Sequence, residues 1–217
     1  MIRLANIESL ARPHHLEVFG AFHLTPEDGL VPELKTLVLL GPSEPGYWPH
    51  LTAQPEWQDA APDPVDRWSR RVIGRLACEV GGKACFPFGG PPHHPFYQWA
   101  LRSGRAWASP VTLLVHDRAG LLVSYRGAIA LRDRIDLPAP PPKPCDACPD
   151  QPCRTACPAA ALSPTGYDVP ACHRFLDQPA GEDCLSSGCA ARRACPVSLA
   201  YGRLPIHSAY HMGHFHR

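Results

Sequence analysis

The chain has no excess of charge of either sign: 21 Lys and Arg stand against 20 Asp and Glu in 217 residues, a formal net charge of +1. The basic residues are scattered rather than clustered, so the electrostatic footprint of a nucleic-acid binder is missing. Long hydrophobic runs are missing too. A bilayer span needs about 20 consecutive apolar residues, and the longest runs, Leu37–Leu40 and Val111–Val115, are strand-sized. No membrane partner is expected. Met1–His15 carries neither the apolar h-region nor the small-residue cleavage site of an export signal. The expected compartment is therefore the reducing cytoplasm, where thiols stay reduced.

Cysteine and proline are abundant. There are 10 cysteines and 27 prolines, within a hydrophobic content of 45% that indicates a folded globular chain. Eight of the cysteines lie between Cys145 and Cys195. One group reads Cys145-x2-Cys148-x4-Cys153-x3-Cys157-Pro158, and a later one Cys184-x4-Cys189-x5-Cys195-Pro196, with Cys172 between them. A C-x2-C pair followed by C-x3-C-P is the ligand run of bacterial ferredoxins, whose fourth cysteine serves the other cluster. Two cubanes need eight thiolates, so two 4Fe–4S clusters and electron transfer are the leading expectation. Closely spaced cysteines can turn their sulfurs to one centre, and a following proline fixes φ and removes a competing donor. Two other readings compete. A disulfide framework suits short secreted chains. A structural zinc site usually comes as two C-x2-C knuckles, and here there is one.

The run Leu137-Pro-Ala-Pro-Pro-Pro142-Lys-Pro144 predicts a stiff polyproline II segment. It divides the chain into an α/β domain (1–137), a proline-rich linker (138–144) and a cysteine-rich domain with a histidine-rich tail (145–217). Upstream, Leu16–His23 and Leu34–Leu40 read as strands and 48–64 as loop. Val65–Val80 reads as a helix capped by Asp63, with Pro64 in its first turn. Its apolar positions Val65, Trp68, Val72, Ile73, Leu76 and Val80 recur at helical spacing. A short helix is predicted from Pro95 to Leu101. Val111–His116 and Leu121–Leu131 should pair as a hairpin across the turn Asp117–Gly120.

These cysteine groups, with Pro170-Ala-Cys172-His-Arg-Phe-Leu176 between them and the Ser109–Ala128 strands before them, resemble the iron–sulfur proteins related to epoxyqueuosine reductase and the reductive dehalogenases. The resemblance implies an α+β chain: a small cobalamin-processing-like domain of nitroreductase-like α/β fold, then a bacterial dicluster ferredoxin-like module. It further implies one cluster on Cys145, Cys148, Cys153 and Cys195 and the other on Cys157, Cys172, Cys184 and Cys189. Relative to the compact run there are insertions at 149–152, 185–188 and 190–194. The family's aspartate proton donor has no counterpart in Cys85–Pro95, which contains no acid. Chemistry on an epoxide or halide is therefore not carried over.

Other residues have both a functional and a plainer reading. His93 and His94 could donate a proton near neutral pH, or form a rigid, solvated loop. Arg126 could anchor an anionic cofactor, or pair with a local carboxylate. Cys78 and Cys85 read as core thiols, with a redox pair as the alternative. His207 and His211 share the i, i+4 spacing of two ligands on a helix, although terminal histidines more often pack at the surface. The tryptophans at 48, 57, 68, 99 and 107 read as core and lid packing. The expectation is an electron-transfer or accessory protein that docks a redox partner. The alternatives are a corrinoid- or flavin-dependent reductase, and a zinc-stabilised interaction module. If no such cofactor is held, Phe86, Phe88, Phe96 and Trp99 should fill the cleft.

Overall fold

The computed structural model describes residues 2–216. Its strands, in chain order, are β1 (Leu16–His23), β2 (Thr36–Pro42), β3 (Lys83–Cys85), β4 (Ala106–Ala108), β5 (Leu114–His116), β6 (Gly127–Leu131), β7 (Leu162–Ser163) and β8 (Gly166–Tyr167). Every pairing among them is antiparallel. Helices flank these sheets, so the chain is α+β. It divides into two compact units: residues up to Arg105 with Ser124–Pro141, and Ala106–Val123 with Pro142 onward.

The first unit is built on a four-stranded sheet of order β1-β2-β6-β3. The central strand β2 is buried at every position, as its unbroken apolar run requires. Helix α1 (Leu4–Ala11) packs on β1. Two short helices, α2 (Tyr47–Thr52) and α3 (Pro55–Gln58), occupy the stretch expected to be loop. Pro49 and Pro55 lie in first turns, where the missing N–H has no intrahelical partner to lose.

Helix α4 (Pro64–Glu79) crosses the sheet against β6 and β3. It buries Val65, Trp68, Val72, Ile73, Leu76 and Ala77, while Val80 ends the helix half-exposed. Removing four such side chains as large as Trp68, Val72, Ile73 and Leu76 from water is worth about 1.5–3 kcal/mol each. Its solvent face carries Arg67–Asp59 at 2.7 Å, Arg75–Glu79 at 3.0 Å and an Arg71–Glu56 pair. Asp63 does not cap through its side chain. It adopts φ 54°, and its carbonyl accepts from the N–H groups of Asp66 and Arg67. Helix α5 (Phe96–Arg102) follows Pro95, close to the expected range.

Two sequence expectations are corrected here. The Val111–Leu131 hairpin does not form: β5 pairs with β4, and β6 joins the other sheet. Only a His116–Gly120 bridge closes the turn. Apolar periodicity gives each strand its faces but not its partner. The units also do not part at one break by the proline run, because 106–123 groups with the cysteine-bearing segment. Val111, Val115 and Leu121 form a core there with Cys153, Leu162, Ala191 and Cys195.

The second unit adds α6 (Val169–Leu176), α7 (Glu182–Ser187), α8 (Ala190–Arg193), α9 (Pro196–Tyr201) and α10 (Pro205–Phe215). Helix α10 packs along α7. Two glycines allow close approach here. Gly120, at φ +55°, would place a Cβ 2.5 Å from the Ser198 backbone nitrogen. Gly188, at φ +94°, would place one 2.5 Å from Ser208 Cβ. No described helix is long and apolar enough to cross a membrane.

Candidate metal centre

Short proline-initiated turns position the cysteines. Cys145 lies in the 3-10 turn Pro144–Ala147, and the Cys148 N–H closes that turn onto the Cys145 carbonyl at 3.3 Å. The chain reverses at Gln151, in the left-handed region at φ 38°, and a second 3-10 turn, Pro152–Arg154, carries Cys153. The residues inserted between Cys148 and Cys153 thus form a reversal. The later insertions are taken up by helix. Helix α7 spans most of the residues from Cys184 to Cys189, and α8 most of those from Cys189 to Cys195. Cys195 sits at the N-cap of α9 with Pro196 as its first residue, so this proline opens a helix instead of turning the chain away.

Cys145, Cys148, Cys153 and Cys195 line one cavity of about 450 Å³, with Val115 and Leu121 among its apolar walls. Cys153 and Cys195 are buried, and Cys145 and Cys148 are half-buried. Burial pushes the Cys145 thiol up, Lys143 opposes this, and Cys153, Cys195 and Cys148 push it further. Burial also raises Cys153, reinforced by Cys195 and Cys148. Cys145 and Cys153 therefore each sense the thiols beside them.

The other four cysteines lie on α6, around α7 and at the turn after Cys157. Asp168 caps α6 by accepting from the Ala171 N–H at 2.9 Å, which fixes the turn carrying Cys172. Burial raises the Cys172 thiol, a hydrogen bond from Tyr167 lowers it, and Cys189 and Cys157 raise it. Burial likewise raises Cys184, the Ala190 backbone N–H opposes this, and Cys189 adds to it. All ten cysteines are free thiols. Among the described residues, no three His, Cys, Asp or Glu side chains close on one point as the ligands of a single ion do.

Thiolates are the donors that iron–sulfur clusters take; four thiols line an apolar cavity, while Cys172 lies on α6, Cys184 on α7 and Cys189 at the N-cap of α8. Sequence reasoning missed the cavity walls from 106–123 and the Tyr167 hydroxyl. A tyrosine beyond a two-residue hairpin carries no motif that marks it as a neighbour of Cys172.

The remaining candidates lie elsewhere. His93 is exposed, and His94 stacks on Trp99 with ring centroids 5.1 Å apart. Burial, aided by Lys83, holds His94 below its ordinary 6.5, which favours the neutral imidazole over the imidazolium. Arg126 faces Asp66 at 4.0 Å, and its Nε is buried without a hydrogen-bond partner. Phe96 and Trp99 are buried 5.0 Å apart, while Phe86 and Phe88 pair at 5.2 Å beneath Arg70. Trp48, Trp68 and Trp99 are core residues, whereas Trp57 and Trp107 are half-buried.

Cys85 is buried in β3 as expected, but Cys78 is exposed on α4, because its position falls off the apolar stripe. His207 is buried on α10 rather than surface-packed, with Arg203 Nε 3.1 Å from its Nδ1 and His211 Nε2 3.1 Å from its Nε2. No protein-family model, curated protein or solved structure matches the chain.

Proposed function

We propose that the chain is an iron–sulfur electron-transfer protein that holds two 4Fe–4S clusters. Cys145, Cys148, Cys153 and Cys195 would ligate one, and Cys157, Cys172, Cys184 and Cys189 the other. One observation carries the reading: four cysteines drawn from both ends of the cysteine-rich segment line a single apolar cavity. A cluster held by these thiols would supply one-electron transfer. The protein's own part is to supply eight thiols, to exclude water with Val115 and Leu121, and to clamp distant turns together. On this reading the second unit is a dicluster ferredoxin-like module, and the first is a nitroreductase-like unit that docks a redox partner.

Zinc is less well supported. Four sulfurs at about 2.3 Å from one ion stand only about 3.8 Å apart, whereas a cubane holds its thiolates on four separate irons. Thiols that line a cavity suit the wider arrangement. A corrinoid- or flavin-dependent reductase would draw on Arg126, whose buried Nε is left over. Against it stand the packed aromatic residues Phe96 and Trp99 and the burial that disfavours the cationic form of His94. Anaerobic reconstitution should give about eight iron and eight sulfide per chain. Zinc without sulfide would overturn the proposal. Stoichiometric retention of cobalamin or flavin through gel filtration would replace the carrier with the reductase.

A further inference from the structure

The loop from Cys148 to Cys153 holds four residues where a compact ferredoxin run has two, and one of the four brings a charge to the cavity. Asp150 lines the same cavity as Cys145, Cys148, Cys153 and Cys195. Apart from the thiols it is the one ionisable residue on that wall, which is otherwise mostly apolar. The two other polar side chains there are occupied. Ser109 Oγ accepts from the Val111 N–H at 3.3 Å, and Gln151 Oε1 accepts from Arg154 at 3.1 Å. Among the described residues, Asp150 makes no hydrogen bond or ion pair. The loop around it is stiff: Pro149 and Pro152 each fix φ, and the chain reverses at Gln151 in the left-handed region. Two cations stand nearby but do not line the cavity. Lys143 acts on Cys145 and Arg154 on Cys153.

We propose that Asp150 is a potential-setting residue for the cluster held by Cys145, Cys148, Cys153 and Cys195, a proposal that rests on the iron–sulfur reading above. Reduction adds one negative charge to a cluster, and a carboxylate beside the same apolar space repels it. Net charge and solvent exposure are among the factors that set cluster potentials. Asp150 therefore disfavours the reduced form and holds this midpoint lower, which makes the reduced cluster a stronger electron donor. Cys157, Cys172, Cys184 and Cys189 do not line this cavity, so the effect falls on one cluster. Asp150 is also exposed to solvent, so salt screens its charge and the effect is largest at low ionic strength.

The test is an anaerobic redox titration of the reconstituted protein at low and high salt, with dithionite supplying one electron per cluster and electron paramagnetic resonance as the readout. Asp150→Asn keeps the size of the side chain and removes its charge. It should retain the wild-type iron and sulfide content and move one of the two midpoints to higher potential, leaving the other in place. That shift should shrink at high salt. Asp150→Glu keeps the charge and should leave this midpoint near its wild-type value. The midpoint that moves should be the one missing from Cys145→Ser. Both midpoints unmoved in Asp150→Asn at low salt would overturn this inference alone, as would an equal shift in Asp150→Glu or survival of the moving midpoint in Cys145→Ser. Loss of about half the iron from Asp150→Asn would also overturn it, since Asp150 would then be a ligand and not a wall charge. Absence of iron and sulfide in the wild type would instead overturn the iron–sulfur reading beneath it.

Discussion

Cys78 and Cys85 have similar apolar neighbours in the sequence, yet they differ in chemistry. Cys85 is buried in β3, and burial pushes its thiol up to about 11, with Lys83 opposing. Cys78 is exposed on α4. Because the thiolate is the nucleophile, iodoacetamide at pH 8 should label Cys78 rapidly and leave Cys85 unlabelled until the unit unfolds. Peptide mapping by mass spectrometry reads the difference, and fast labelling of Cys85 in the folded protein would contradict its burial. Three histidines behave alike for a related reason. Burial lowers His14, His50 and His94 below 6.5, and Arg71 adds to the effect at His14 and His50. A histidine held neutral in the fold takes a proton more readily once unfolded, so stability falls as pH drops below about 6.5. Thermal unfolding at pH 5 should begin lower than at pH 7.5, and His50→Gln should reduce that difference.

At the scale of elements, α4 supplies much of the first unit's core, and its value can be measured. Ile73→Ala should destabilise that unit by about 2–5 kcal/mol, seen as an earlier urea midpoint, because Ile73 is fully buried. Asp168→Ala removes the α6 cap and should cost about 1 kcal/mol. Helix α4 and strands β1 and β2 were legible in the sequence, since their apolar periods are long and consistent. The pairing of β5 and β6 was not. The two apolar segments on either side of Asp117–Gly120 carry no signal of which sheet each strand joins, and sheet partners are fixed by contacts distant in sequence. Asp63 misled for a local reason: it serves the helix through its carbonyl in a left-handed conformation, whereas a capping rule reads side chains. The closeness of Cys145, Cys148 and Cys153 was legible because their spacing is local. The Tyr167 contact and the cavity walls were not, because both depend on tertiary packing.

At the scale of the whole molecule, the question is whether the cysteine groups act as two separate sites or as one interlocked pair. In the proposed assignment each group lends one ligand to the other. Cys157 ends the first run but belongs with Cys172 and Cys189, whose charge and its own bear on the Cys172 thiol. Cys195 ends the second run but lines the first cavity. Metal–ligand bonds supply folding energy where loops are many, so this crossing would tie 145–157 to 172–195 more firmly than two local sites could. Cys157→Ser should lower iron and sulfide to about half of the wild-type content. Adding Cys172→Ser should cost no further iron, since both changes would strike the same cluster. Adding Cys145→Ser to Cys157→Ser should instead remove nearly all of it. If the Cys157→Ser/Cys145→Ser pair kept half its iron while Cys157→Ser/Cys172→Ser lost the rest, Cys157 would belong to the first set. The sites would then be local, and the loosening expected of the whole cysteine-rich unit on losing either cluster would stay confined to one run.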